Sequence, residues 1–551
     1  MKLASNKLLL AAAITALLAG CDSGGISIEP TTVDNSVDNS VTNPGTTEEN
    51  PCAALNGGVQ GTPEGANCRY GSDFVSYSNP LMEDLYLPAL PNGGAHIFDD
   101  LLFVGSSYGS AADLAAAGIT EGGDGPALEI QAGATIAFKD KESFVVINRG
   151  SQLFARGTET APITFTSETD VLGTVGAEDV SQWGGMVING FGVTNKCVYT
   201  GSIAGGDLAL AGECSLPAEG SDSDQESNYG GDNNADSSGV MTYVRVKHTG
   251  AEVVEGNELN GVTFAGVGSG TVVNNLEAYA TYDDGIEMFG GAVNIENFVA
   301  LYVRDDSIDI DEGWQGSITN ALVIQSETDG NHCIEADGIG SYDDMADGTK
   351  TDRRAEIVSQ GINSRPVIDG LTCIVSAASS TVTHDPGAGW RLREGIYPTI
   401  TNSMVVASFS ADENGAEGSN YCLRVQSDET LAGLVDGSEA GLTSNVFACE
   451  DQVKDSLPGG VTAAEWATAS GNEFITIAGK VDPTATTNSE FVLLGGVPAF
   501  YTEAAAAQMG VTVSPQERAF LGALSVNGSD WTNGWTYGLH EGSRAQPLWF
   551  E

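Results

Sequence analysis

Asn275-Leu276-Glu277-Ala278-Tyr279, Asn297-Phe298-Val299-Ala300-Leu301 and Asn320-Ala321-Leu322-Val323-Ile324 carry the reading of the fold. Each is an asparagine followed by a short, largely apolar run, and the asparagines are separated by 22 and 23 residues. Asp284, Asp306 and Asp329 repeat at the same separations of 22 and 23. A chain that returns to the same chemistry every ~22 residues reads as a solenoid whose coils stack at the ~4.8 Å interstrand spacing. Asparagine suits the repeated corner, because its amide tolerates the left-handed conformation and can bond to the asparagine one coil away. Residues 400–406 and 442–447 keep the pattern, and earlier runs at 134–138 and 144–147 are short, β-rich and bounded by Gly, Asn or Asp. The fold class expected is all-β, a right-handed parallel β-helix.

Alternation along each strand assigns the faces. In Ile286-Glu287-Met288-Phe289, Ile308-Asp309-Ile310-Asp311 and Ile334-Glu335-Ala336-Asp337 the isoleucines point inward. Glu287, Asp309 and Glu335 then form one outward column, and Phe289, Asp311 and Asp337 the next. The third coil holds this register only with about three extra residues around Asn331, His332 and Cys333. Trp390-Arg391-Leu392-Arg393 supplies a fourth rung, in which Arg391 and Arg393 continue the two acidic columns.

Carboxylates one rung apart repel by about 3 kcal/mol at an effective dielectric of about 20. A recessed column therefore needs a shared proton, a bound cation or an arginine. Hard oxygen ligands, and five histidines without zinc spacing, favour calcium as the metal on Glu287, Asp309, Glu335, Asp311 and Asp337. An arginine-capped ion ladder without any ligand is the structural alternative, and catalysis the third. In the insertion 201–238, Asp222, Asp224, Glu226, Asp232 and Asp236 offer another calcium candidate, against the plainer reading of a solvated acidic loop.

The N-terminus reads as an export signal: Lys2 and Lys7, an apolar run at 8–18, then Ala19, Gly20 and Cys21. The run is too short to span a bilayer. Leu18-Ala19-Gly20-Cys21 has the form of a lipobox, so Cys21 is the expected lipidation site and the membrane the expected partner through that lipid. Asp22 is the residue associated with inner-membrane retention, which sets a periplasmic face against the outer membrane or cell surface that is otherwise expected. The expected organisation is a signal peptide at 1–20, a flexible tether at 21–51, an N-terminal cap at 52–125, and a β-helix with a closing segment at 126–551. The tether is rich in Ser, Thr, Asn, Asp, Gly and Pro and cannot bury a core. Short helices are expected at 111–117, 463–469 and 502–508, and Trp531 and Trp535 are expected to pack the last coil.

Nine cysteines less Cys21 leave eight, an even number in an exported chain, and disulfides follow. Nearest-neighbour pairing would join Cys52 to Cys68, Cys197 to Cys214, Cys333 to Cys373 and Cys422 to Cys449. A formal charge of −53 argues against nucleic acid as a partner, and no segment is apolar for long enough to form a helical pore.

Several stretches resemble a set of secreted or lipid-anchored β-helix proteins of marine proteobacteria and Bacteroidetes. They include Arg149-Gly150-Ser151-Gln152-Leu153-Phe154-Ala155-Arg156-Gly157-Thr158, Trp183-Gly184-Gly185-Met186-Val187-Ile188-Asn189-Gly190, Asp283-Asp284-Gly285-Ile286-Glu287 and Trp531-Thr532-Asn533-Gly534-Trp535-Thr536. The resemblance covers most of residues 125–540 and implies a pectate-lyase-like β-helix. It also implies TonB-dependent outer-membrane receptors as neighbours. Enzymes of that superfamily use a carboxylate-held calcium and an arginine base, or clustered aspartates. By analogy Asp309, Asp311, Arg391 and Arg393 are the catalytic candidates, with Tyr282, Tyr302, Trp314 and Trp390 to stack on sugar rings. These positions match no lyase motif residue by residue, so that mechanism rests on fold analogy. The leading expectation is a calcium-assisted, non-catalytic lipoprotein that binds a glycan or a TonB-dependent receptor. A polysaccharide lyase or glycoside hydrolase, and a structural or adhesive surface protein, are the alternatives.

Overall fold

In the computed structural model the described residues are 50–221, 226–254, 257–326, 329–340, 350–375, 387–407, 421–426, 441–448, 460–475, 521–524 and 529–548, with 430, 433, 453 and 454. The asparagine corners set its geometry. Asn275, Asn297 and Asn320 take left-handed φ values of 58°, 61° and 57°, and each bends one long strand into two arms. Their amides stack: Asn297 Nδ2 donates to Asn275 Oδ1 at 3.4 Å, and Asn320 Nδ2 to Asn297 Oδ1 at 3.0 Å. On the next coil Gly370 fills the corner with φ 79°, and on the one after that Asn402 with φ 52°. Asn297→Ala should lose about 1–2 kcal/mol of stability, the cost of a left-handed Cβ residue, while Asn297→Gly regains part of it. Urea midpoints for the two variants decide this, and an alanine variant as stable as the parent contradicts the account.

The long strands stack in parallel, Val272–Tyr279 on Asn294–Leu301, then Ser317–Ile324, then Val367–Val375. A second sheet, of ten strands among the described residues, forms another side of the coil and carries the acidic columns, with Val262–Ala265, Ile286–Phe289, Ile308–Asp311, His332–Asp337 and Ala388–Arg393 at its centre. Inward residues of both sheets, among them Ile286, Ile308, Ile334, Leu276, Phe298 and Ala321, form one continuous core.

The long strands read as near-continuous apolar runs because their second arms are buried on both faces. Leu521, Leu524, Trp535 and Leu539 of the C-terminal segment pack over the outward side chains Val299, Leu301, Leu322 and Ile324. Trp535 accordingly lies against Tyr243, at 5.8 Å between ring centroids, on an early coil and not on the last one as expected.

The coil also begins earlier than residue 126. Leu85–Leu87, Ala95–Phe98 and Leu102–Val104 pair in parallel with Leu128–Ile130, Thr135–Phe138 and Val145–Ile147. The antiparallel hairpin of Thr62–Glu64 and Asn67–Tyr70 precedes them. Between Leu85–Leu87 and Ala95–Phe98 a longer turn, with Asn92 at φ 58° and Gly93 at φ 70°, replaces the single-asparagine bend within one strand, which hid their membership of the solenoid.

The helices at Ala111–Ala117 and Ala463–Ala469 form where expected. The first is capped by Ser110 and ended by Gly118 at φ 77°, and the second is opened by a Thr462–Glu465 capping box. The expected helix at 502–508 lies outside the described residues, as do Cys21 and the whole of 1–49. Disulfides join Cys52 to Cys68, Cys197 to Cys214, and Cys333 to Cys373. Cys422 is also disulfide-bonded, and Cys449 lies outside the described residues.

Candidate functional site

Strand register stacks the acidic columns. Glu287 pairs with Asp309, Asp309 with Glu335, Glu335 with Arg391, and Arg391 with Arg424. Phe289 pairs with Asp311, and Asp337 with Arg393. Beside them runs a third column at the turn into each ladder strand. There Asn260 Oδ1 accepts from Asp284 N at 3.1 Å, Asp284 Oδ1 from Asp306 N at 2.9 Å, and Asp306 Oδ1 from His332 N at 2.6 Å.

The lower half of this face is charge-balanced. Arg391 Nη1 lies 3.1 Å from Glu335 Oε2, and its Nε donates to Gln426 Oε1 at 2.8 Å. Arg393 bridges Glu335 and Asp337. His332 Nδ1 is 2.8 Å from Asp306 Oδ1 and 3.0 Å from Glu335 Oε2, and its Nε2 is 2.7 Å from the Tyr421 hydroxyl. Burial would raise the Glu335 carboxyl, but His332, Arg393 and Arg391 outweigh it and hold the group well below the usual carboxylate range. Burial likewise opposes charge on His332, and Asp306 with Glu335 overrides it and pushes the imidazole well up.

The upper half is not balanced. Oxygens of Asp284, Glu287 and Asp309 lie within 4.8 Å of one another, and Asp283 and Asp305 converge with Asp284 in the same way. Among the described residues no Lys or Arg ion-pairs with Asp284, Glu287 or Asp309. Asp309 Oδ1 is buried without a hydrogen-bond partner among them. Burial, and then the neighbouring carboxylates, pushes Asp283, Asp284, Glu287 and Asp309 well above the usual carboxylate range. The insertion 201–238 adds one more acid here, since Asn260 Nδ2 bridges Glu287 Oε2 at 2.6 Å and Glu219 Oε2 at 2.7 Å.

The five residues expected to hold a metal therefore divide. Glu287 and Asp309 face each other with Asp284. Glu335 and Asp337 are taken by the arginines. Asp311 lies beside Asp337 and Gly340 and away from the cluster, with its carboxyl pushed up by burial and by Asp337. Both catalytic arginine candidates are held by carboxylates, and Arg393 is pushed further up, so Arg393 is not poised to accept a proton.

Three of the four aromatic candidates for sugar stacking are corrected by burial. Trp314 and Trp390 are wholly inside the coil, and Tyr302 is a left-handed corner at φ 61° covered by the C-terminal segment. Tyr282 alone among them is half-buried and accessible in part. In the insertion, Asp236 accepts from Gly122 N at 2.7 Å and Phe191 N at 3.4 Å, a loop-fixing role, while Asp222 and Asp224 lie outside the described residues.

Asn260, Asp284, Asp306, His332 and Glu219 were missed as site residues. The aspartates are visible as a repeat of 22 and 23 residues, but that spacing marks only the period of the coil and not the direction of their side chains. His332 lay among the extra residues of its coil, and Glu219 had no periodic signal at all.

Comparison with known proteins adds the family. The model of the pectate-lyase-like β-helix domain matches residues 113–483. No curated protein matches the sequence. Among solved structures, the Dettilon tailspike protein (gp208) is similar at 11% identity over 67% of this chain, with a TM-score of 0.21. The match spans 62% of that tailspike chain, less than two thirds of its length, and the likeness carries no argument about function. The family match takes in well over half of the sequence and the coils that bear the ladder, and the chain belongs to the pectate-lyase-like β-helix domain family.

Proposed function

We propose that this is a lipid-anchored envelope protein that binds calcium on the acidic face of its β-helix and serves as a binding protein, not as an enzyme. The observation that carries the reading is the convergence of Asp284, Glu287 and Asp309 without a basic partner among the described residues. Recessed like charges of this kind are relieved by a divalent cation with oxygen ligands. The engagement of Arg391 and Arg393 by carboxylates weighs against a lyase, which needs a free base. The burial of Tyr302, Trp314 and Trp390 weighs against a broad sugar platform. The ligand that fits best carries its own anionic oxygens and reaches the cation, such as an acidic glycan or an acidic loop of a membrane receptor. The motif ending at Cys21 supports the anchor, and acyl mass on the N-terminal peptide reads it directly.

Calcium titration of the melting temperature tests the site. A saturable rise is expected, worth about 2.7 kcal/mol at a hundredfold excess over Kd. Asp284→Asn, which keeps the acceptor for Asp306 N, should abolish the rise. An unchanged melting temperature in the parent protein defeats the reading.

A further inference from the structure

His332 is the one described residue that brings a ring nitrogen into the acidic face, and its surroundings are unlike those of the calcium candidate. Its Nδ1 points at Asp306 Oδ1 (2.8 Å) and Glu335 Oε2 (3.0 Å), and all three side chains are buried. Its Nε2 is engaged by the Tyr421 hydroxyl at 2.7 Å. When Nε2–H donates to Tyr421, the Nδ1 lone pair faces two carboxylate oxygens, and three electron-pair donors meet at one point. Something positive has to stand there, either a proton on Nδ1 or a metal ion. Asp306, Asp309, Asp311, Glu335 and Asp337 share this stretch of the face with Arg391 and Arg393, and Arg424 stands on the rung beyond Arg391.

We infer that His332, Asp306 and Glu335 form a second metal site, for a transition-metal ion of the zinc, manganese or cobalt class, distinct from the calcium candidate at Asp284 and Glu287. One imidazole nitrogen with two carboxylates is the donor set of such ions and not of calcium. Tyr421 fills the role of the outer partner that fixes the tautomer and orientation of a ligating histidine. The backbone N–H of His332 bonded to Asp306 Oδ1 at 2.6 Å fixes the carboxylate in the same way. The sequence hid the site because its histidine sits in the coil with extra residues, 26 positions from Asp306.

The full chain, stripped with a chelator and titrated with Co2+, tests the inference through its visible absorption. Saturable ligand-field bands at one equivalent are expected, displaced by Zn2+ and untouched by Ca2+. His332→Gln should remove the bands, and Tyr421→Phe should keep them while weakening affinity about tenfold or more. Both variants should retain the calcium-dependent rise in melting temperature, which separates this site from the calcium reading. The inference is overturned if the native chain develops no saturable bands, a result that needs no variant to fold. It is overturned equally if a His332→Gln chain with the native circular dichroism spectrum keeps them.

Discussion

Arg393→Ala should destabilise the protein by about 3–5 kcal/mol, the cost of stranding buried carboxylates by removing their common partner. Arg393 bridges Glu335 and Asp337, both nearly inaccessible at 9% and 8% side-chain exposure. Arg391 remains for Glu335, but among the described residues Asp337 has Arg393 for its ion pair. Arg391→Ala should accordingly cost less, because Glu335 keeps both His332 and Arg393. Adding Asp337→Asn to Arg393→Ala should restore part of the loss, since it removes the stranded charge while keeping the shape. Urea unfolding of the three variants checks the ordering. A loss below about 1 kcal/mol for Arg393→Ala is what an exposed pair would give, and would show that the ladder is not desolvated.

What the sequence disclosed, and what it hid, follows from which interactions leave a local mark. A left-handed corner restricts the residue that can occupy it, so Asn275, Asn297 and Asn320 mark the period in plain letters. Strand alternation is equally local, and it placed Glu287, Asp309, Glu335 and Arg391 in one column. The same alternation that turns Arg391 outward turns Trp390 inward, and treating Trp390 as a sugar platform ignored it. Depth was not legible. Whether an outward residue meets solvent depends on what lies over it, and the covers here are the insertion 201–238 and the C-terminal segment, which come from remote parts of the chain without periodic signature. Glu219 and Leu521 reach the coils through tertiary contacts that no window of sequence contains. The division of the ladder into a balanced and an unbalanced half has the same origin, because Asp284 and Asp306 enter from the turns and His332 from the first position of its strand, outside the alternating columns.

Glu277 shows what such a cover does to a charge, and Glu277→Gln should abolish the pH dependence it imposes. By alternation Glu277 points outward, beside Arg245 on the adjoining rung, yet it is completely buried under residues 535–537. Its Oε2 accepts from Tyr537 N at 2.8 Å, Arg245 donates to Trp535 O, and Lys247 Nζ stands 3.6 Å over the Tyr537 ring. Its Oε1 has no partner among the described residues. Burial dominates over Arg245, the Tyr537 amide and Lys247, and the carboxyl is pushed up from 4.5 to about 8. The folded chain therefore holds a proton that the unfolded chain releases above pH ~4.5, and native proton excess makes stability fall as pH rises. The contribution is complete below pH ~4.5 and lost progressively up to pH ~8, on the order of 3–5 kcal/mol in all. Glutamine reproduces the protonated state at every pH. Melting curves of the two proteins should coincide near pH ~5 and separate towards pH ~9, with the glutamine variant the more stable at the alkaline end. Parallel profiles across that range would mean that the glutamate is solvated, and that the C-terminal segment does not seal this face of the coil.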